Sequence, residues 1–290
     1  MIQSPKKKSI LIGLIHNSNK KRNELIFPSI NELTNYLSKF FLVGNAKIGS
    51  QSKLIFFSSL FSFLREMYFL FFHENEWNKY RLLKSKTIIH KLKFTRYAIT
   101  RYIKNQFSYR EKIKRITAIE INLTDKHIRL LDKFIESGED YLIVLEDDAI
   151  LNANSFSKIM NAINLSIDDV DNTFVCIDLA GGPPFSDLKL DKIIKNKLED
   201  IIYLEKPIIN TLCACIFNRN LVIRIKEKLL LKPLYRYMQA DHMINNVLFD
   251  IYHTGNSNST FIHYDPPAIE HGSYTNKFGD NSTVDNYQLR

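Results

Sequence analysis

Three adjacent carboxylates, Glu146-Asp147-Asp148, follow five apolar residues, Tyr141-Leu142-Ile143-Val144-Leu145, and precede Ala149-Ile150-Leu151. The run reads as a buried strand that delivers concentrated negative charge to its carboxyl edge. Like charges at this spacing repel and raise one another's pKa unless a cation compensates them. A divalent ion with a taste for hard oxygen ligands, Mn2+ or Mg2+, is the usual compensation. A strand followed by a solvated acidic turn is the plainer reading. The apolar strand directly before the acids favours a functional site.

Other chemistry-bearing residues lie further along. Asp241-His242 opens a helical pattern. Asp241 is either a general base toward an acceptor hydroxyl or an ordinary helix cap, and His242 is a candidate contact to an acceptor sugar. His263 and His271 flank Pro266-Pro267, and either suits a metal shell or a diphosphate contact. A structural role is the alternative for both. Asp178 ends a strand as the acidic triplet does, so it is a candidate for the same cleft. Gly181-Gly182 either admits a ligand close to the backbone or makes a tight turn. After the first strand come Asn17, Lys20, Lys21 and Arg22, which could steer an anionic ligand or face solvent. Lys277 could clamp a phosphate. Asp168, Asp169 and Asp171 read as a solvated loop.

The elements that must position these residues follow from periodicity. Ser9–Ile15 is a buried strand, and Leu25–Leu37 carries Leu25, Ile26, Ile30, Leu33 and Leu37 on one helical face. Phe40–Val43 reads as a second strand stopped by Gly44-Asn45. Strand, helix, strand is how a parallel sheet begins. Ile116–Ile121 reads as a short strand, and a helix runs from Thr124 through Ile135. A helix opened by Asn154 or Ser155 runs to about Asn164 after the acids. Phe174–Leu179, Ile201–Leu204, Asn210–Phe217 and Phe261–Tyr264 read as strands. Leu221–Leu231 and the stretch from Asp241 to Phe249 or Ile251 read as helices. The expectation is an α/β fold: one domain over residues 1–290, with a Rossmann-type mixed sheet flanked by helices.

Residues 52–115 read as a helical insertion in that domain. Leu54–Phe72 is apolar apart from serines and the central Arg65-Glu66, and that charged pair argues against a simple membrane span. A strongly basic, aromatic stretch runs from Trp77 to Arg115. The pairing suits peripheral attachment to an anionic membrane face, or equally an insertion folded onto the sheet. The net charge of +9 suits an acidic partner. No nucleic-acid-binding signature is present. Cys176, Cys213 and Cys215 read as small core residues in a reducing compartment, and no secretory signal is visible.

The segment YLIVLEDDAIL, Tyr141 to Leu151, resembles the signature of glycosyltransferase family 25, the lipooligosaccharide galactosyltransferases. That signature is an apolar strand, then Glu-Asp-Asp, then small and apolar residues. A Ser-His pair begins the preceding helix in that family; here Lys126 replaces the Ser and His127 matches. Asn17, Lys20, Lys21 and Arg22 correspond in type, though not in spacing, to the family's nucleotide loop. Pro266 to His271 resembles its proline-containing C-terminal segment. The likeness covers Thr117 to Leu151 well and is absent between Leu54 and Arg115.

The resemblance implies a GT-A fold and metal-dependent transfer of a sugar, galactose as a first guess, from a nucleotide-sugar donor, a UDP-sugar, to a hydroxyl of a glycan or glycolipid acceptor. Lipooligosaccharide and capsule are such acceptors. It implies inversion at the anomeric carbon by a single displacement, with Asp241 as base. It places Glu146 toward the ribose or the metal, Asp148 and His271 on the metal, and Asp147, Asn17, Lys21, Arg22 and His127 around the donor. Asp178, Gly181, Gly182, His242 and His263 remain candidates for sugar contacts. The expected location is cytoplasmic, peripheral on the inner face of a bacterial membrane. Two other readings stand beside it: a non-catalytic membrane-associated scaffold on a degenerate fold of the same type, and a nucleotidyltransferase. The latter would want a Gly-rich loop after the first strand, which Ile15-His16-Asn17-Ser18 does not supply.

Overall fold

A computed structural model describes residues 7–17, 19–49, 58–68, 92, 96, 108–168, 174–181, 193–196, 200–204, 207–209, 211–254, 259–273, 275 and 277–278. The first strand is β1, Ser9–Ile15, buried almost throughout. The remaining strands are β2 (Leu42–Ile48), β3 (Tyr141–Glu146), β4 (Ala149–Ile150), β5 (Phe174–Asp178), β6 (Ile193–Asn196), β7 (Ile201–Leu204), β8 (Ala214–Asn218), β9 (Ser259–Tyr264) and β10 (Glu270–His271). Eight of them form one sheet in the order β2-β1-β3-β8-β5-β9-β7-β6, and β4 pairs with β10 separately. β1 is parallel to β2 and β3, and β5 is parallel to β9. β8 is antiparallel to both β3 and β5. The sheet is therefore mixed, as expected for a Rossmann-like α/β chain.

Helices cover both faces. Among the described residues the helices with full bounds are α1 (Lys20–Leu37), α2 (Ser59–Tyr68), α3 (Ser108–Ser137), α4 (Ala153–Asp168), α5 (Arg219–Leu231) and α6 (Ala240–Thr254). Strand side chains alternate between faces, and β1 shows the consequence. Ile10, Ile12 and Leu14 pack with Ile26, Ile30 and Leu33 of α1 and Ile159 of α4. Leu11 and Ile15 pack in the opposite layer with Leu131 and Phe134 of α3, Ile225 of α5 and Val247 of α6.

Two strand expectations are corrected. Phe40–Val43 is not the second strand: the helix of α1 gives way to a turn, and β2 runs through Gly44 and Asn45 to Ile48. Those residues are tolerated because β2 is an edge strand, largely exposed, where weak strand formers cost little. Ile116–Ile121 is not a strand but part of the continuous helix α3. Its apolar residues fit the 3.6-residue period of the helix downstream, which a six-residue window cannot reveal. Asp168 ends α4 rather than lying in a loop. Asn210–Phe217 shortens to β8, because Leu212 and Cys213 form a bend at its start.

The insertion also changes character. α3 runs straight through residue 115, so no structural boundary falls there. α2 packs on α3. Its Arg65, expected at the centre of an apolar membrane-binding stretch, is buried instead. Its Nη1 meets Glu120 Oε2 of α3 at 2.8 Å, and its Nε donates to the Tyr237 carbonyl at 2.5 Å. The 59–68 part of the insertion is thus folded onto the domain, while most of the basic run between 77 and 115 lies outside the described residues.

Candidate functional site

Strand ends converge at one edge of the sheet. Ile15 at the end of β1 is opposite Glu146 at the end of β3. Ala214, at the start of antiparallel β8, is opposite Leu145. Cys213 therefore stands beside the acids, and its carbonyl accepts the Glu146 N–H at 2.8 Å. Beyond β3, the pairing of β4 with β10 sets His271 opposite Ala149. That register folds the chain after Pro266-Pro267 back over Asp148. Gly272 tightens the fold: its N–H donates to the Asp148 carbonyl at 2.9 Å, and a Cβ there would stand 2.9 Å from the same oxygen.

Each acid has its own partners. Glu146 Oε1 is 2.7 Å from His127 Nε2 on α3. One Asp147 oxygen accepts the Asn17 N–H at 2.6 Å, and the other accepts Arg22 Nη1 at 3.0 Å. Lys126 braces the same loop, donating to Asn17 Oδ1 at 2.5 Å and to the His16 carbonyl at 3.0 Å. Burial holds the Lys126 ammonium below its ordinary pKa, against the pull of Asp147. Asp148 accepts the Ser273 hydroxyl, and the Cys213 thiol at 3.5 Å; His271 Nδ1 lies 3.6 Å away. Burial, reinforced by Asp148, pushes the Cys213 thiol well above its ordinary value.

The compensation that the sequence argument assigns to a metal is thus supplied at Asp147 by Arg22 and Lys126, while Glu146 is hydrogen-bonded to the His127 ring. Asp148 is the acid left for a metal. Asp148, Cys213 and His271 offer one ligand atom each, all within 4.8 Å of one another, and this buried group could hold an ion. The expected pairing of Asp148 with His271 is present. Glu146 is not part of the group, because its carboxylate turns to α3. Cys213 is the member that sequence reading missed. Its one signal was its place at the start of an apolar strand, and that strand's pairing with β3 is a tertiary fact.

Beside Asn17 lies an open groove of about 550 Å³, lined by His16, Lys20, Asn23, Glu24, Phe27 and Pro28. The His16 ring stands edge-on to Phe27 at 5.8 Å, and Lys47 Nζ is 4.3 Å from the Phe27 centroid. The groove borders the first turn of α1, capped by Asn19, where unpaired N–H groups favour anions. Arg22 turns from that helix toward Asp147; Lys21 is exposed to solvent.

Other candidates fall elsewhere. Asp178 and His263 face each other at 3.4 Å, and both are almost wholly buried. His263 Nε2 donates to the Ile208 carbonyl at 2.5 Å, and Asp178 accepts the Ala180 N–H. They brace the chain inside the domain and present no open face to a sugar. Gly181 is needed for Pro267, whose Cγ would lie 2.3 Å from a Cβ there; Gly182 lies outside the described residues. Asp241 sits within the first turn of α6 rather than capping it, and accepts the His242 N–H at 2.8 Å. No described contact joins Asp241 or the half-buried His242 to the carboxylates. Lys277 pairs with Glu270 at 2.6 Å, which holds that carboxyl below its usual range.

The Asp178–His263 pair gives a pH prediction. Burial holds His263 below the ordinary imidazole value of 6.5, although Asp178 opposes this. The unfolded chain then takes up the proton first as pH falls. Stability from this residue is complete above about 6.5 and is lost as pH drops through the folded pKa. Thermal midpoints should decline between about pH 7 and 5, and His263→Gln should flatten that decline. An unchanged slope in the variant would refute the assignment.

Comparison of the chain with models of known families gives no match, and comparison with curated proteins gives none.

Proposed function

We propose that this protein is a glycosyltransferase of GT-A type. It transfers a sugar, galactose as the first guess, from a UDP-sugar or similar nucleoside-diphosphate donor to a hydroxyl of a surface glycan or glycolipid. The observation that carries this reading is a buried carboxylate, Asp148, grouped with His271 at the sheet edge where Arg22, Lys126 and the α1 N-terminus also gather. Phosphate on a leaving nucleotide calls for cationic donors together with a metal, and the metal is needed because Arg22 and Lys126 already offset Asp147.

The groove beside His16 and Phe27 would take the nucleoside, with Phe27 as a flat apolar wall. Arg22, on the helix that lines the groove and held by Asp147, would meet the diphosphate. A divalent ion on Asp148 and His271, manganese or magnesium by the carboxylate argument, would offset the charge that grows as the glycosidic bond breaks. The imidazole shifts that choice from magnesium toward manganese. Direct attack by the acceptor hydroxyl requires one base and inverts the anomeric carbon. Asp241 is the candidate, since α5 returns the chain from the far end of β8 and α6 starts near the carboxylate end.

The test is incubation of purified protein with a panel of nucleotide sugars and manganese. Release of free nucleoside diphosphate from one donor is expected, and it should be abolished by chelation. No release from any donor, with and without candidate glycolipid acceptors, would favour the scaffold reading.

Peripheral attachment to the inner face of a bacterial membrane belongs to the same proposal. No helix among the described residues is long and apolar enough to cross a bilayer. α2 exposes Leu60 and Leu64 on the face away from Arg65, and the basic run of 77–115 follows it in the chain. Flotation with anionic vesicles at low salt should carry the protein upward, and raising the salt should release it. Absence of flotation at low salt would remove the membrane from the proposal.

A further inference from the structure

We infer that Cys213 is a metal ligand, and that its sulfur makes the site rank thiophilic ions, zinc foremost, above magnesium. The inference rests on the reading of Asp148 and His271 as a metal site. Type and spacing do not separate this cysteine from the others, since Cys176, Cys213 and Cys215 all read as core. The fold separates them. Cys215 directs its sulfur to the Thr211 carbonyl at 3.4 Å, whereas Cys213 directs its own to Asp148 Oδ1 at 3.5 Å.

The donor set is then one carboxylate, one imidazole and one sulfur, all drawn from rigid positions. Asp148 follows the end of β3, Cys213 precedes β8, and His271 is fixed by the β4–β10 pairing. A tetrahedral zinc bound at about 2.0–2.3 Å places its donor atoms roughly 3.3–3.8 Å apart. Cys213 Sγ lies 3.5 Å from Asp148 Oδ1 and His271 Nδ1 lies 3.6 Å from Oδ2, so each donor already stands at that spacing from one oxygen of the carboxylate, and a small turn of the carboxylate brings one oxygen toward both. All three donor atoms lie within 4.8 Å of one another, so closure onto an ion needs at most about 1 Å. Three protein ligands leave a fourth position for a water or a substrate oxygen, the pattern of reactive zinc sites. Magnesium demands an octahedron of oxygens and keeps several waters, which a buried thiol beside the carboxylate disfavours. On coordination the Cys213 S–H bond breaks, its electron pair becomes the sulfur–metal bond, and the proton leaves to solvent.

Cobalt(II), which mimics zinc and reports sulfur ligation by a charge-transfer band in the near ultraviolet, is the probe. The full chain titrated with cobalt should show that band. Zinc should erase it stoichiometrically, and a large excess of magnesium should not. Cys213→Ser should lose the band and at least about 100-fold in zinc affinity, the upper end of what loss of a mere supporting partner costs. Cys215→Ala, a buried thiol off the site, should keep both. Cobalt bound by the wild type without the band would overturn ligation by Cys213 while leaving the metal on Asp148 and His271. No cobalt, zinc or manganese retained in equilibrium dialysis would overturn the metal reading itself, and this inference with it.

Discussion

Asp148→Ala should reduce donor turnover by roughly two to three orders of magnitude and remove metal binding, with the fold retained. The magnitude is that of deleting one preorganised electrostatic partner of a transition state. The carboxylate meets Cys213, Ser273 and His271 and no buried cation, so its removal strands no positive charge. Asp147→Ala should behave differently. It leaves Arg22 without its carboxylate on the helix that lines the groove, so donor binding and stability should suffer together. Asp168→Ala, at the end of α4, is the control and should change little. Turnover with saturating manganese, metal titration and circular dichroism on the three variants separate these outcomes. Near-wild-type turnover in Asp148→Ala would remove the metal from the proposed chemistry.

The sheet was legible where one strand carried its own evidence. β1 and β3 are apolar throughout and flanked by polar turns, and their bounds came out almost unchanged. β2 was misplaced because an exposed edge strand lacks the hydrophobic run that marks a buried one. The short pair β4–β10 left no periodic trace in two residues each, yet it seats His271. The candidate site was legible to the same degree. Glu146, Asp147 and Asp148 stood out by type and spacing, but their division of labour was not readable. Which acid meets Arg22, which meets His127 and which is left for a metal depends on the directions in which consecutive side chains leave a strand end. Cys213 was read as core because it is core: it is fully buried, and only the antiparallel placement of β8 against β3 turns a core thiol toward Asp148.

Arg65→Ala should lower unfolding free energy by about 3–5 kcal/mol, the cost of breaking a buried ion pair by removing one partner. The side chains of Arg65 and Glu120 are only 6% and 13% exposed. Truncation takes the guanidinium from Glu120, which also accepts from Gln239, and deprives the Tyr237 carbonyl of a charged donor. Against a typical total of about 5–15 kcal/mol, such a loss moves a urea midpoint far outside experimental scatter. Arg65→Lys should recover only part, since an ammonium cannot reach carboxylate and carbonyl in the forked geometry of a guanidinium. Arg65→Met combined with Glu120→Leu should recover most of it, because the penalty lies in the stranded charge rather than in the missing bond. The series also decides what α2 is for. A segment whose purpose is lipid contact alone would tolerate Arg65→Ala in solution and change only in flotation. A segment that closes the α3 layer near Tyr237 would unfold earlier whether or not vesicles are present. The buried pair favours the second outcome, with Leu60 and Leu64, on the opposite face, left as the part of α2 that could meet a membrane.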